Sequence, residues 1–175
     1  FTPQEGLTLT EARKLIIEEL KDNGVKGDVE KVAITEEITI QEIWENIGTQ
    51  LYKVNVDYAW IYGVAIIKDN RVLQILNGMP TEGIFIADID KDGYYEVYTN
   101  IAMGSGIISN EILGFNIVSQ EKYHLAMRGK QDFSLFVEDN ILMANISTYP
   151  NINKIERTGK VLLKTKANNR ELYIG

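Results

Sequence analysis

The sequence predicts an α+β fold: N-terminal amphipathic helices packed on a twisted, antiparallel, hairpin-rich sheet of propeller-blade-like character. Three observations lead there. Apolar residues recur at helical spacing only before residue 50. From Leu51 onward they fall into short runs rich in β-branched and aromatic residues. Those runs are separated by Asp-Asn or Asn-Asn pairs, which tolerate the positive φ of a tight hairpin turn. Helices followed by strands assemble as helices over one face of an antiparallel sheet.

The first element is a helix over residues 8–23, where Ala12, Leu15, Ile16 and Leu20 share one face. Thr8 and Glu11 have the spacing of a capping box, and Asn23-Gly24 supplies the stop. Residues 29–34 are a short strand. A second helix follows over "TIQEIWENIG", with Thr39 and Glu42 as another capping box, an apolar side of Ile40, Ile43, Trp44 and Ile47, and Gly48 at its end. The remaining segments, from "LYKVNV" to "KVLLKTK", are strands. Hairpin turns are expected at Asp69-Asn70, Asp139-Asn140 and Asn168-Asn169.

The 175 residues suit one domain, 1–175, with a helical part over 1–50 and a β-rich part over 51–175. Apolar residues make up 45% of the chain, enough for a real core. A net charge of −7 argues against a nucleic-acid partner, because neutralising phosphates needs a basic face. The absence of cysteine removes disulfides, thiolate metal sites and thiol catalysis. No apolar run reaches the ~18–20 residues that span a bilayer, so no membrane insertion is expected within these residues.

The most informative stretch is "ADIDKDGYYEVYTN", residues 87–100. With Asp88 at position one, Asp90, Asp92 and Glu96 fall at three, five and nine, and Gly93 at six. Alternate side chains in a tight loop can converge on a hard cation, which takes oxygen ligands. The carbonyl of Tyr94 adds an oxygen, and Glu96 closes the shell. The expected metal ligands are therefore Asp88, Asp90, Asp92, Tyr94 and Glu96, with Ca²⁺ as the cofactor. Position twelve is Thr99 and the following residues have strand character, so this is a strand–loop–strand site, unlike an EF-hand. Asp-rich turns also form without metal, because Asx side chains bond their own backbone.

"DIDKDGYYEV" resembles the DxDxDG loops of FG-GAP and VCBS-type repeats, in which calcium sits between two strands of a propeller blade. Lys91 stands where those loops commonly carry a small residue. The longer stretch 86–116 is similar to segments of Gram-positive extracytoplasmic domains, found as lipoproteins or as ectodomains of membrane sensors. That resemblance covers roughly residues 60–120. It implies a secreted or surface location, with any anchor in a removed N-terminal segment, and calcium. It implies no reaction.

Other residues with suggestive chemistry have plainer roles. His124 alternates within a strand and has the chemistry of a general base, but a lone strand histidine is usually a surface or core residue. Ser105 in "MGSGI" lacks the G-x-S-x-G elbow, and "GSG" fits a bulge. Trp44, Trp60, Tyr58, Tyr62, Tyr94, Tyr95 and Tyr98 have faces suited to a carbohydrate or peptide groove, though sheet and helix packing accounts for most of them. The four basic residues of "KVLLKTKANNR" fit an exposed hairpin. The resulting expectation is a non-enzymatic extracytoplasmic domain that binds, senses or assists, with a protein, small-molecule or glycan partner. The alternative is a carboxylate-dependent hydrolase of glycans or cell-wall material, which needs two carboxyls ~5–10 Å apart across a cleft.

Overall fold

The computed structural model describes residues 1–28, 31, 33–56, 61–79, 81–103, 109–126, 130–166 and 169–175, for 33–35 the backbone alone. Its architecture is α+β and dominated by antiparallel sheet. The described helices are α1 (Leu9–Asp22) and α2 (Gln41–Ile47). Strands β1 (Ala33–Glu37), β2 (Thr49–Val56), β3 (Ile61–Lys68) and β4 (Arg71–Gly78) form one four-stranded sheet in chain order. Strands β5 (Thr81–Ala87), β6 (Glu96–Met103), β7 (Ser109–Phe115) and β8 (Lys122–Leu125) form a second. Strands β9 (Gln131–Glu138), β10 (Ile141–Thr148), β11 (Arg157–Lys166) and β12 (Asn169–Ile174) form a third. No described helix is long and apolar enough to cross a membrane.

The chain divides into two compact units, Phe1–Thr81 and Glu82–Gly175. In the first, α1 starts at the capping box of Thr8 and Glu11, with Thr8 N–H donating to Glu11 Oε2 at 2.8 Å. It ends in a Schellman turn, Gly24 N–H donating to Lys21 O and Val25 N–H to Leu20 O. Its buried face is Ala12, Ile16, Ile17 and Leu20, with Leu15 only partly buried. This face packs on Tyr52, Val54, Val56, Ala65 and Ile67 of β2 and β3. Each large aliphatic side chain so buried contributes ~1.5–3 kcal/mol.

The second helix starts differently from expectation. Its N-cap is Ile40, with no side-chain cap bond. Thr39 is drawn into the sheet instead: its hydroxyl donates to Glu37 Oε1 at 2.8 Å and accepts from Leu51 N–H at 3.0 Å. A buried backbone N–H competes successfully for the hydroxyl that a helix start would otherwise take. The expected strand at 29–34 is shifted to β1, and residues 29, 30 and 32 lie outside the described set.

The turns at Asp69-Asn70 and Asp139-Asn140 form as predicted, with φ of 50° and 58° in the first and 49° and 61° in the second. At the third, Asn169 already belongs to β12 opposite Lys166, and Asn168 lies outside the described residues.

In the second unit the two sheets share one core, built from Tyr98, Ile112 and Tyr123 on one side and Phe133, Leu135, Leu142, Ala144 and Leu172 on the other. The buried Asn100 amide joins them. It donates to Phe133 O at 3.1 Å and accepts from Leu135 N–H at 2.8 Å, so a β6 side chain pairs with the backbone of β9.

Candidate functional site

The acidic stretch forms the corner between β5 and β6, and local hydrogen bonds account for its shape. Asp88 accepts from the N–H groups of Asp92 (3.1 Å) and Gly93 (3.0 Å). Asp92 accepts from Tyr94 N–H at 2.8 Å. These are Asx-type bonds that wind the chain back on itself. Gly93 sits at φ 91°, a conformation that side chains disfavour, and Lys91 at φ 61°.

Among the expected ligands, Asp88, Asp90 and Glu96 converge, with one oxygen of each within 4.8 Å of the others. Asp92 is not in this group; its carboxylate faces the Tyr94 amide. The Tyr94 ring is exposed. Glu96, the first residue of β6, is fully buried. Its Oε2 accepts from Ile89 N–H at 2.8 Å. Tyr98 also reaches it through a hydroxyl contact of 3.3 Å.

Four residues far along the chain complete the corner. Asn116 Nδ2 donates to Asp90 Oδ2 at 3.0 Å and lies 3.5 Å from Glu96 Oε1. The Arg170 guanidinium, from β12, pairs with Asp90 Oδ2 at 2.5 Å and with Glu121 Oε2 at 2.6 Å. It also stacks over the Tyr123 ring, 5.5 Å from its centroid. The expectation of an exposed basic hairpin therefore fails at Arg170, whose side chain is only 27% exposed. No local motif ties Arg170, Asn116 or Glu121 to the acidic loop. In the sequence Arg170 is distinguished only as an arginine beside the lysines of a hairpin, and lysine cannot form the same planar fork.

The arginine and one proton offset part of the carboxylate charge. Burial raises Glu96 to about 8, against the stabilising N–H of Ile89, and the neighbouring Asp90 charge adds to the rise. Burial also works on Asp90, but hydrogen bonds from Arg170 and Glu96 outweigh it and hold that carboxyl below its ordinary range. Protonated Glu96 thus donates to ionised Asp90. The Tyr98 hydroxyl is pushed up, chiefly by burial and then by the Glu96 charge. The ring of Tyr98 lies against Gly114 of β7, where a Cβ would come within 2.5 Å of its Cε1.

His124 Nε2 contacts Glu111 Oε2 at 2.6 Å on the β7–β8 surface, and the His124 side chain is half exposed. Ser105, Tyr58 and Trp60 lie outside the described residues. Tyr62 and Tyr95 are half-buried.

The donor set of the corner suits a hard cation. It offers carboxylate oxygens from three side chains and no nitrogen or sulfur ligand. Searches for relatives return no match to a family model, a curated protein or a solved structure.

Proposed function

We propose that this chain is a non-enzymatic extracytoplasmic binding or sensing module whose acidic corner responds to calcium. The convergence of Asp88, Asp90 and Glu96 within 4.8 Å, at a bend between two strands, carries the calcium reading. Calcium takes six to eight oxygens, and the sites of extracellular modules are tuned to ~10⁻⁴–10⁻³ M. Asp88, Asp90 and Glu96 would hold the ion, which supplies positive charge and ties the loop to the start of β6. Without it, Arg170 and the Glu96 proton offset part of the carboxylate charge, so ion binding competes with both. The extracytoplasmic placement follows the resemblance of residues 86–116 to lipoprotein and sensor ectodomains. The blade-like reading rests on the sheets themselves, each built from four consecutive strands in chain order.

Thermal melting in calcium, in magnesium and in chelator tests the proposal. A calcium-dependent rise in Tm that is absent in Asp88→Asn is expected. A Tm indifferent to calcium contradicts it.

The hydrolase reading draws on one observation, an acid raised to about 8 beside an ionised one. Yet Glu96 is fully buried and bonded to Asp90. A glycosidic bond needs ~5–10 Å between such carboxyls and access from solvent, so the binding reading is favoured.

A further inference from the structure

The β10–β11 loop of the second unit carries a separate feature. Every residue from Tyr149 to Thr158 is exposed, so the loop projects into solvent. Three of these residues are large and apolar: Tyr149, Ile152 and Ile155 are 42%, 47% and 57% exposed. We propose that this loop seats the protein on an anionic lipid surface, with the three apolar side chains entering the headgroup boundary and Lys130, Lys154 and Arg157 meeting the lipid phosphates. The chain lies on the bilayer and does not cross it. The proposal goes beyond the calcium reading and uses no residue of the acidic corner.

The loop is braced before any surface arrives. Asn151 N–H donates to Thr148 O at 2.8 Å and Lys154 N–H to Asn151 O at 2.9 Å, which makes two successive turns. Its ends are tied by Tyr149 N–H to Lys130 O at 2.9 Å and by Glu156 N–H to Ile146 O at 2.8 Å. The Thr148 hydroxyl donates to Glu156 Oε2 at 2.9 Å. A braced loop pays little ordering entropy on docking. A projecting loop offers no groove to a peptide, whereas a lipid boundary accepts apolar side chains that enter it from above. Tyrosine suits that boundary, with an apolar ring and a polar tip. Lys130 Nζ lies 5.7 Å from the centroid of the Tyr149 ring, so a cation stands beside it.

Charge selects the lipid. Residues 150–166 hold Lys154, Arg157, Lys160, Lys164 and Lys166 against Glu156 alone, in a chain of net charge −7. At the base of the loop Lys130 adds a cation and Asp132 a carboxylate, which accepts from Asn110 N–H at 2.6 Å. Among the described residues at this end, Lys130, Lys154, Arg157 and Lys160 thus outnumber Asp132 and Glu156. Such a basic segment is drawn to anionic lipid. The acidic corner meets β11 at its other end, where Thr165 pairs with Arg170. At ~3.3 Å per strand residue, Thr165 lies about 26 Å from Arg157. That exceeds a Debye length of ~8–10 Å, so salt screens the repulsion between the corner and the surface.

Vesicle sedimentation is the test, run in chelator so that calcium bridges no lipid to the protein. One set of vesicles is phosphatidylcholine alone, and the other is an equal mixture of phosphatidylcholine and phosphatidylglycerol. The whole chain is compared with two double variants, Ile152→Ser with Ile155→Ser and Lys130→Gln with Lys154→Gln. All four positions are exposed, so Tm should stay as it is. Binding to the mixed vesicles is expected, at least tenfold weaker on phosphatidylcholine alone, in high salt and in each double variant. Absence of binding to the mixed vesicles, the outcome if the loop serves a protein partner instead, overturns the proposal. Equal binding to both vesicle types, or binding that either double variant leaves unchanged, also overturns it. The calcium response of the acidic corner is read by Tm without lipid, so the two readings fail separately.

Discussion

Asp90 and Arg170 lie 80 positions apart and meet at 2.5 Å, tying the acidic corner to the last strand of the chain. The contact joins a loop built by local turn chemistry to a side chain that only the folded sheets bring near. Arg170→Met should remove this pair and the one to Glu121 while keeping most of the aliphatic volume. Charge-assisted hydrogen bonds contribute ~1.5–3 kcal/mol each, and the side chain is partly solvated, so a net loss of about 2–3 kcal/mol in urea unfolding is expected. An unchanged midpoint would mean that the pair is solvated in solution.

The proton on Glu96 has a consequence for pH. In the unfolded chain this carboxyl ionises near its ordinary value of 4.5, whereas in the folded chain it keeps its proton to about 8. Stability from this group is therefore full below 4.5 and declines as pH rises towards 8. Asp90 acts in the opposite sense, because its folded value lies below the ordinary 3.8. Its contribution is present above 3.8 and is lost as pH falls through the folded value. In chelator, Tm should fall between pH 5 and 8, and Glu96→Gln should flatten that fall. A Glu96→Gln profile parallel to the parent would show that another group titrates.

Two buried threonines should respond oppositely to valine. Thr39 satisfies the buried N–H of Leu51, so Thr39→Val strands that donor and should cost about 1–3 kcal/mol. Thr49 Oγ1 is buried with no hydrogen-bond partner among the described residues. Thr49→Val removes an unsatisfied group at similar volume and should be neutral or stabilising by about 1 kcal/mol. Chemical denaturation of both variants checks the contrast. Equal losses would contradict it.

The Asn100 bridge between β6 and β9 predicts a large effect from a small change. Asn100→Ala leaves the N–H of Leu135 and the C=O of Phe133 without this partner inside the core. A loss of about 2–4 kcal/mol is expected, with Asn100→Asp no better because it cannot donate to Phe133. A loss below 1 kcal/mol, within the range of ordinary surface changes, would show that the bridge is dispensable.

Much of the fold is legible from short-range patterns. The α1 cap and stop, the strand runs and the Asp-Asn turns each depend on residues within a few positions of one another. Thr39 shows the limit of that reasoning, because its spacing to Glu42 matches a cap while the sheet claims its hydroxyl. The acidic corner divides in the same way. Asp88, Asp90 and Glu96 are visible in one decapeptide, but the buried state of Glu96 and the arrival of Asn116 and Arg170 are products of tertiary packing. Asp92 was an equally good ligand by spacing, and an adjacent backbone N–H takes it.

Calcium titration by calorimetry, comparing the parent chain with Arg170→Met, tests most directly whether the corner is a cation site with an arginine in competition. Saturable calcium binding by the parent is predicted, tightened about tenfold (1.4 kcal/mol) when the competing guanidinium is removed. Heats of dilution alone from both proteins would contradict it.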